Sequence, residues 1–238
     1  LVGPSGHTVM AEFKRGPNGE KSYVAPRIYF DVLIQQQAIA SGATFLQAEV
    51  KEPLMEDGRV VGVLARENGD VRAYRAPVVV GADGVTSTLM RHLRPESGQH
   101  VDKHRAVGLR AYIEGIELYP HEVEFFLYDD ILPGYAWIFP TADNAANIGL
   151  GMRLDRFRAL KKNLKKMLQE FMAMPAIRER ARNGYTLRDV AIWQLSFGSQ
   201  KRLQHAYDGA LLVGDAAGFI NPPTGGGTHN ALISACPA

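Results

Sequence analysis

Ala210-Leu-Leu-Val-Gly-Asp-Ala-Ala-Gly-Phe-Ile-Asn-Pro-Pro-Thr-Gly-Gly-Gly-Thr-His-Asn-Ala231 holds three parts that belong together. Ala210–Val213 is apolar and reads as a buried strand. It delivers Asp215 just past its carboxyl end, the side on which open α/β sheets bind ligands. Ala216, Ala217 and Gly218 are small, which leaves room for something large and flat. Pro222 to Gly227 then precede a helix, so free backbone N–H groups and a positive helix end face the same place. A glycine-rich loop with no ligand is the plainer reading. Three consecutive glycines beside a strand-end Asp weigh against it.

A turn of the same build lies upstream, in Val78-Val-Val-Gly-Ala-Asp-Gly84. Val78–Val80 is apolar throughout and predicts a buried strand, followed by a helix over Thr86–Leu93. Gly81 and Gly84 allow close backbone approach or positive φ. Asp83 either accepts hydrogen bonds from sugar hydroxyls or caps the helix.

Between and around these turns the pattern alternates. Thr8–Phe13, Phe45–Val50, Arg59–Ala65 and Val71–Tyr74 have the composition of short strands, and Phe30–Ala40 that of a helix closed by Gly42. Asp57-Gly58 and Asn68-Gly69 are hairpin turn signals. Pro95–Gln99 has the composition of a linker. Beyond it Ala106–Ile113, Val123–Tyr128, Tyr135–Phe139 and Ala146–Leu150 are strand-like and separated by Gly, Pro, Asp and Asn, the signature of an antiparallel sheet. Asp155–Phe171 predicts one helix with Phe157, Leu160, Leu164, Leu168 and Phe171 on one face. A further helix follows Pro175, and Leu187–Phe197 is another strand.

The expected fold is therefore mixed α/β. A Rossmann-like nucleotide-binding domain occupies residues 1–100 and 201–238 and is split by an antiparallel-sheet module at 101–200 that carries the helix at 155–172. The chain opens on Leu1 rather than Met and closes in a helix that has barely begun near Asn230. Both ends read as cuts in a longer protein.

The 238 residues are 46% hydrophobic and 22% charged, an ordinary globular balance. A net charge of +2 makes no case for nucleic acid. The single cysteine, Cys236, excludes an internal disulfide framework and suits a reducing, cytoplasmic setting. The seven histidines lack H-E-x-x-H or similar spacing, so no metal site is expected. His229 and Asp215 do not make a hydrolase triad, because no G-x-S-x-G elbow accompanies them.

The two acidic turns resemble flavoproteins with the para-hydroxybenzoate hydroxylase fold. Asp83, Gly84, Ser87 and Arg91 match their G-A-D-G-x-x-S-x-x-R signature; Gly214, Asp215, Ala216, Ala217, Pro222 and Gly225 match their G-D-A-A…P…G signature. The resemblance implies bound FAD, with NAD(P)H or a ferredoxin-type donor as reductant. It implies that Asp215 contacts the ribityl chain and that the helix start at Gly225, Gly226 and Gly227 lies near the flavin pyrimidine ring. It implies that Asp83 and Gly84 lie near the cofactor, that Arg27 reaches it, and that the backbone at Val50 meets the adenine. The family's opening G-x-G-x-x-G turn has no counterpart here, so this piece alone is expected to bind FAD weakly or not at all.

In Pro133-Gly-Tyr-Ala-Trp-Ile-Phe-Pro140 the side chains of Tyr135, Trp137 and Phe139 share one face of a strand. Such a row is sheet core or the lining of an apolar slot. With Pro140 and the nearby Asn147-Ile-Gly-Leu-Gly151, it is similar to the geranylgeranyl reductase family, a branch of the same fold. That resemblance implies hydride transfer from reduced flavin to isolated double bonds of a polyprenyl lipid or quinone tail, with the aromatic row as the slot. It names no proton donor. A flavin monooxygenase or halogenase on the same fold is the alternative, and a non-catalytic FAD- or lipid-binding protein a third class. Residues 151–182 carry ten Lys and Arg against Asp155, Glu170 and Glu179. That stripe fits a solvated helix face or, alternatively, peripheral contact with anionic lipid.

Overall fold

A computed structural model describes residues 1–19, 21–95, 102–141, 144–199 and 203–236. In chain order the elements are α1 (Arg27–Ala40), β1 (Glu49–Glu56), β2 (Arg59–Glu67), β3 (Asp70–Arg75), β4 (Val79–Gly81) and α2 (Thr88–Leu93). Then come β5 (Arg105–Glu114), β6 (Glu124–Phe126), β7 (Gly134–Pro140), β8 (Ala145–Arg153), α3 (Leu154–Leu160), α4 (Leu164–Met172) and α5 (Pro175–Arg180). The chain ends with β9 (Thr186–Ser196), β10 (Ala206–Tyr207), β11 (Ala210–Leu212), α6 (Gly214–Ala217) and α7 (Thr228–Ala235). Contacts divide it into two compact units, residues 1–44 with 107–193 and residues 45–106 with 194–238.

The second unit joins distant sequence. β4 and β11 pair in parallel, Val79 with Ala210 and Gly81 with Leu212, and β10 adds antiparallel to β11. Leu89 and Met90 of α2 pack with Leu212 and Ala217 in a small core. β1, β2 and β3 form a separate antiparallel meander. Its turns carry positive φ at Asp57, Gly58, Asn68 and Gly69, as the hairpin signals require.

The first unit is built on a sheet ordered β6-β7-β8-β5-β9. One face is apolar along every inner strand: Leu109 and Ile113 on β5, Ala136 and Ile138 on β7, Ile148 and Leu150 on β8. α4 covers it with Leu164, Met167, Leu168 and Phe171. A side chain of that size contributes about 1.5–3 kcal/mol on full burial. The stacking of Tyr128 on Phe171 extends the same cluster, and burial pushes the Tyr128 phenol up to about 12.

Four expectations need correction. Thr8–Phe13 forms no strand; Thr8 makes only an isolated bridge to Val2. The strand expected at Phe45 starts at Glu49. Val78 and Val80 are 51% and 43% exposed, because β4 lies at the edge of its sheet. The helix expected over 155–171 is two. Lys161 turns left-handed at φ 52, and Asn163 then caps α4 by accepting from the Lys165 and Lys166 amides. The linker at Pro95–Gln99 lies mostly outside the described residues.

Candidate functional site

Parallel pairing of β4 and β11 sends both acidic turns off the same, carboxyl end of neighbouring strands. That is where open α/β sheets hold ligands. At the first turn Gly81 packs close against two leucines: a Cβ there would come within 2.7 Å of Leu212 Cδ2 and 2.9 Å of Leu89 Cδ2, so those side-chain ends would have to move. Gly84 takes φ 77. Asp83 is exposed, and its Oδ2 accepts from the Thr88 amide at 2.7 Å, so it does cap α2. Ser87, fully buried, adds a second cap by accepting from the Met90 amide at 3.0 Å. Arg91 donates to Thr88.

At the second turn Asp215 is half-buried on the first turn of α6. The Gly214 amide donates to Ser234 of α7 at 3.0 Å, tying the two helices together. Asn221 and Gly226 close the loop between them. A Cβ on Gly227 would lie 3.3 Å from Asp215 Oδ1, so glycine lets the loop pass against the carboxylate. No side chain caps α7, which leaves the amides of its first turn without intrahelical partners. Pro222 is exposed and lines an open groove of about 620 Å³ with Phe219, Pro223, Asn230 and Ile233. Ala216 and Ala217 are buried, and the cavity behind them holds about 20 Å³, room for one water and not for a ring system.

Behind this turn lies a network that the sequence did not announce. Arg94 donates from Nε to the Tyr207 hydroxyl at 3.0 Å and bonds the Gln204 carbonyl. It also meets His205 Nδ1 at 2.9 Å. A guanidinium only donates, so Nδ1 accepts and the ring proton sits on Nε2. The His205 ring packs 4.5 Å from Phe219, and burial, with Arg94 second, lowers its pKa. Val50 is exposed on β1 opposite Ala65. Arg27 belongs to the other unit, where it opens α1 and pairs with Asp31 at 2.6 Å.

The aromatic row stands on the open face of the first unit's sheet. Tyr135 and Trp137 have ring centroids 5.8 Å apart, Trp137 and Phe139 6.1 Å. Phe125 of β6 packs edge-on against both Tyr135 and Phe139, at 5.3 and 5.2 Å. Phe125 was not singled out from sequence; its place opposite Trp137 in the ladder is what brings it in. Burial raises the Tyr135 pKa. Pro140 closes the strand opposite Ala146. Among the described residues no cluster of His, Cys, Asp and Glu could hold a metal ion.

Residues 105–186, which include this row, match the family model for the geranylgeranyl reductase catalytic domain. Over that stretch the chain is similar to the geranylgeranyl reductase family. Its aromatic strand and glycine-rich partner strand lie inside the geranylgeranyl reductase match, while both acidic turns lie outside it. The chain is 30% identical to a digeranylgeranylglycerophospholipid reductase of Methanosphaerula palustris, over 98% of its own length and 57% of the relative's. A digeranylgeranylglycerophospholipid reductase of Methanopyrus kandleri is also 30% identical, with 63% of its length covered. The chain thus spans about three fifths of the curated relatives it matches. A solved geranylgeranyl bacteriochlorophyll reductase-like protein of Thermoplasma acidophilum superposes with a TM-score of 0.76 at 25% identity, covering 92% of this chain and 57% of that one. A myxobacterial FAD-dependent chondrochloren halogenase shares the fold at a TM-score of 0.69 and 22% identity, covering 90% of this chain and 50% of that one.

Proposed function

We propose that the chain is the core of an FAD-dependent reductase that saturates carbon–carbon double bonds of a polyprenyl lipid. The observation that carries the reading is the row Tyr135, Trp137 and Phe139 beside a glycine-lined strand, within the region that matches a prenyl-reductase domain. The names of the digeranylgeranylglycerophospholipid reductase relatives support that substrate class.

The residues of the second unit suit FAD. A half-buried carboxylate at a strand end, Asp215, can accept from sugar hydroxyls. The uncapped start of α7 offers amides to an electron-rich ring edge, while Gly225 and Gly226, whose amides donate to Asn221 and Thr224, shape the loop that leads through Gly227 into it. Gly214, Ala216 and Pro222 shape the same turn, and Asp83 and Gly84 hold the neighbouring one. Val50 would meet the adenine through its backbone. When bound and reduced, FAD supplies a hydride to an alkene carbon, and NAD(P)H or a ferredoxin-type donor restores it. The aromatic row excludes water from the alkene and holds the chain extended, which an unactivated double bond needs. A proton must reach the second carbon, and this reading assigns its donor to no side chain.

The exposed cations Lys161, Lys165 and Lys166, at the end of α3 and on α4, would rest on anionic lipid while substrate is collected. No helix among the described residues is long and apolar enough to cross a membrane. A halogenase or monooxygenase reading rests on the shared fold alone, and oxygen separates it from a reductase. The test offers geranylgeranyl lipid to the full-length, flavin-loaded protein under strict anaerobiosis with dithionite as reductant. Mass spectrometry should find two added hydrogens per double bond. Unchanged lipid mass, or turnover only in oxygen, would reject the reductase.

A further inference from the structure

Trp137 is held in a particular pose, and one side chain outside the aromatic row holds it there. β7 and β8 pair so that Trp137 faces Gly149 and Tyr135 faces Gly151. A Cβ on Gly149 would collide with Trp137 Cζ2 and Cη2, so the indole lies across the strand at a position that lacks a side chain. Next to it, Gly151 and Gly108 of β5 continue a bare floor. A Cβ on Gly151 would meet nothing closer than 3.5 Å, and one on Gly108 nothing closer than 3.3 Å. The indole pivots over that floor unless its far edge is fixed. Its Nε1–H donates to Asn147 Oδ1 at 2.7 Å, a half-buried bond. Asn147 sits opposite Phe139, one step diagonal to Trp137, within reach of a long aromatic side chain.

We infer that Asn147 is a positioning residue for the substrate slot: it pins the Trp137 indole over Gly149 and so keeps the floor of Gly108 and Gly151 open to an extended prenyl chain. This rests on the prenyl reading above. Without the acceptor a half-buried indole N–H is left unpaired, and the ring swings to find another partner. The swing trades a flat, apolar trough for one partly filled by the ring itself.

The chain has two tryptophans, and Trp193 is 61% exposed, so Trp193→Phe leaves Trp137 as the only indole emitter. In that background Asn147→Leu removes the acceptor and Asn147→Asp keeps one. The pin predicts a shifted emission maximum and stronger acrylamide quenching for the leucine variant, with the aspartate variant close to the parent. Asn147→Ala carries the same comparison should leucine fail to fold. Equilibrium dialysis with tritiated geranylgeraniol should then show binding weakened about threefold to tenfold by Asn147→Leu, the value of one hydrogen bond. The same change should cost nothing further when Trp137→Phe has already removed the donor. Equal losses in both backgrounds would overturn the pin, because Asn147 would then act through the sheet and not through the indole. Unchanged emission in the leucine variant would overturn it as well. If the parent itself does not bind geranylgeraniol, the prenyl reading falls instead, and the emission comparison alone decides whether Asn147 holds the ring.

Discussion

Gly149 condenses the logic of the aromatic face into one missing methyl group. It lies where the Leu109 carbonyl and the Trp137 ring both press on the strand, so any Cβ overlaps backbone on one side and an indole on the other. Neither neighbour is the free end of a flexible side chain. Gly149→Ala should therefore lower stability by about 1–3 kcal/mol, the usual cost of overpacking. Gly151→Ala makes the useful contrast. Its Cβ would meet the Val107 carbonyl at 3.5 Å and Trp137 Cζ3 at 3.9 Å, ordinary contact distances. That variant should melt within a few degrees of the parent in urea or thermal denaturation, and equal melting of the two variants would refute the packing argument. The residues of the row were legible from sequence, because period-two spacing puts Tyr135, Trp137 and Phe139 on one face. Asn147 was visible only as part of a motif. Its bond depends on which residue stands diagonally across the ladder, and a single strand read alone does not contain that register.

At the scale of elements, turns with a strong local signal came out where expected, while of the two strands read from apolar content β11 is buried and β4 is not. Asp57-Gly58 and Asn68-Gly69 place their hairpins because αL geometry is encoded in the turn residues themselves. Val78–Val80 looked like core but lies at a sheet edge, and edge position is a property of strand order rather than of composition. The break at Lys161 had its own marker in Asn163, a helix-capping residue directly before apolar Leu164, which the continuous apolar stripe overshadowed. The Arg94 network had no local marker, since its partners are more than a hundred residues downstream. That network makes β10 and the Asp215 turn sensitive to acid. The folded-state pKa of His205 is depressed, so the unfolded chain binds its proton more readily. The stability it contributes is full above an unfolded pKa of about 6.5 and is lost as the pH falls through the lower folded value. Protonating Nδ1 would also remove the acceptor for Arg94. His205→Asn keeps an acceptor near Nδ1 and does not titrate. Denaturant melts between about pH 7 and pH 5 should show part of the parent's loss of stability absent from the variant, and parallel curves would sink the assignment.

For the whole molecule the telling quantity is where the charge lies, not how much there is. A net charge of +2 conceals ten Lys and Arg between residues 151 and 182 against three acids. The structure sorts them. Lys162 is turned to Asp130 and Glu170, at 2.8 and 3.3 Å, and Arg180 to Glu124 at 2.9 Å, so both are spent within the protein. Lys161, Lys165 and Lys166 remain exposed, while the opposite side of α4 is sunk in the core through Leu164, Met167, Leu168 and Phe171. An amphipathic helix whose apolar side is already buried cannot insert into a bilayer. Any attraction to lipid must then be electrostatic, about 1 kcal/mol per cation near an anionic surface. Reversing Lys161, Lys165 and Lys166 to Glu should weaken co-sedimentation with phosphatidylserine vesicles by about two orders of magnitude or more at low salt. The parent's own binding should fade as ionic strength rises past about 0.15 M, where the screening length shrinks to about 8 Å. Pure phosphatidylcholine vesicles should pellet neither protein. Binding that survives both the charge reversal and high salt would mean that lipid is met by another surface. Absence of binding by the parent at low salt would leave these cations as a solvated outer face, and substrate would have to arrive by a route other than collision with the membrane.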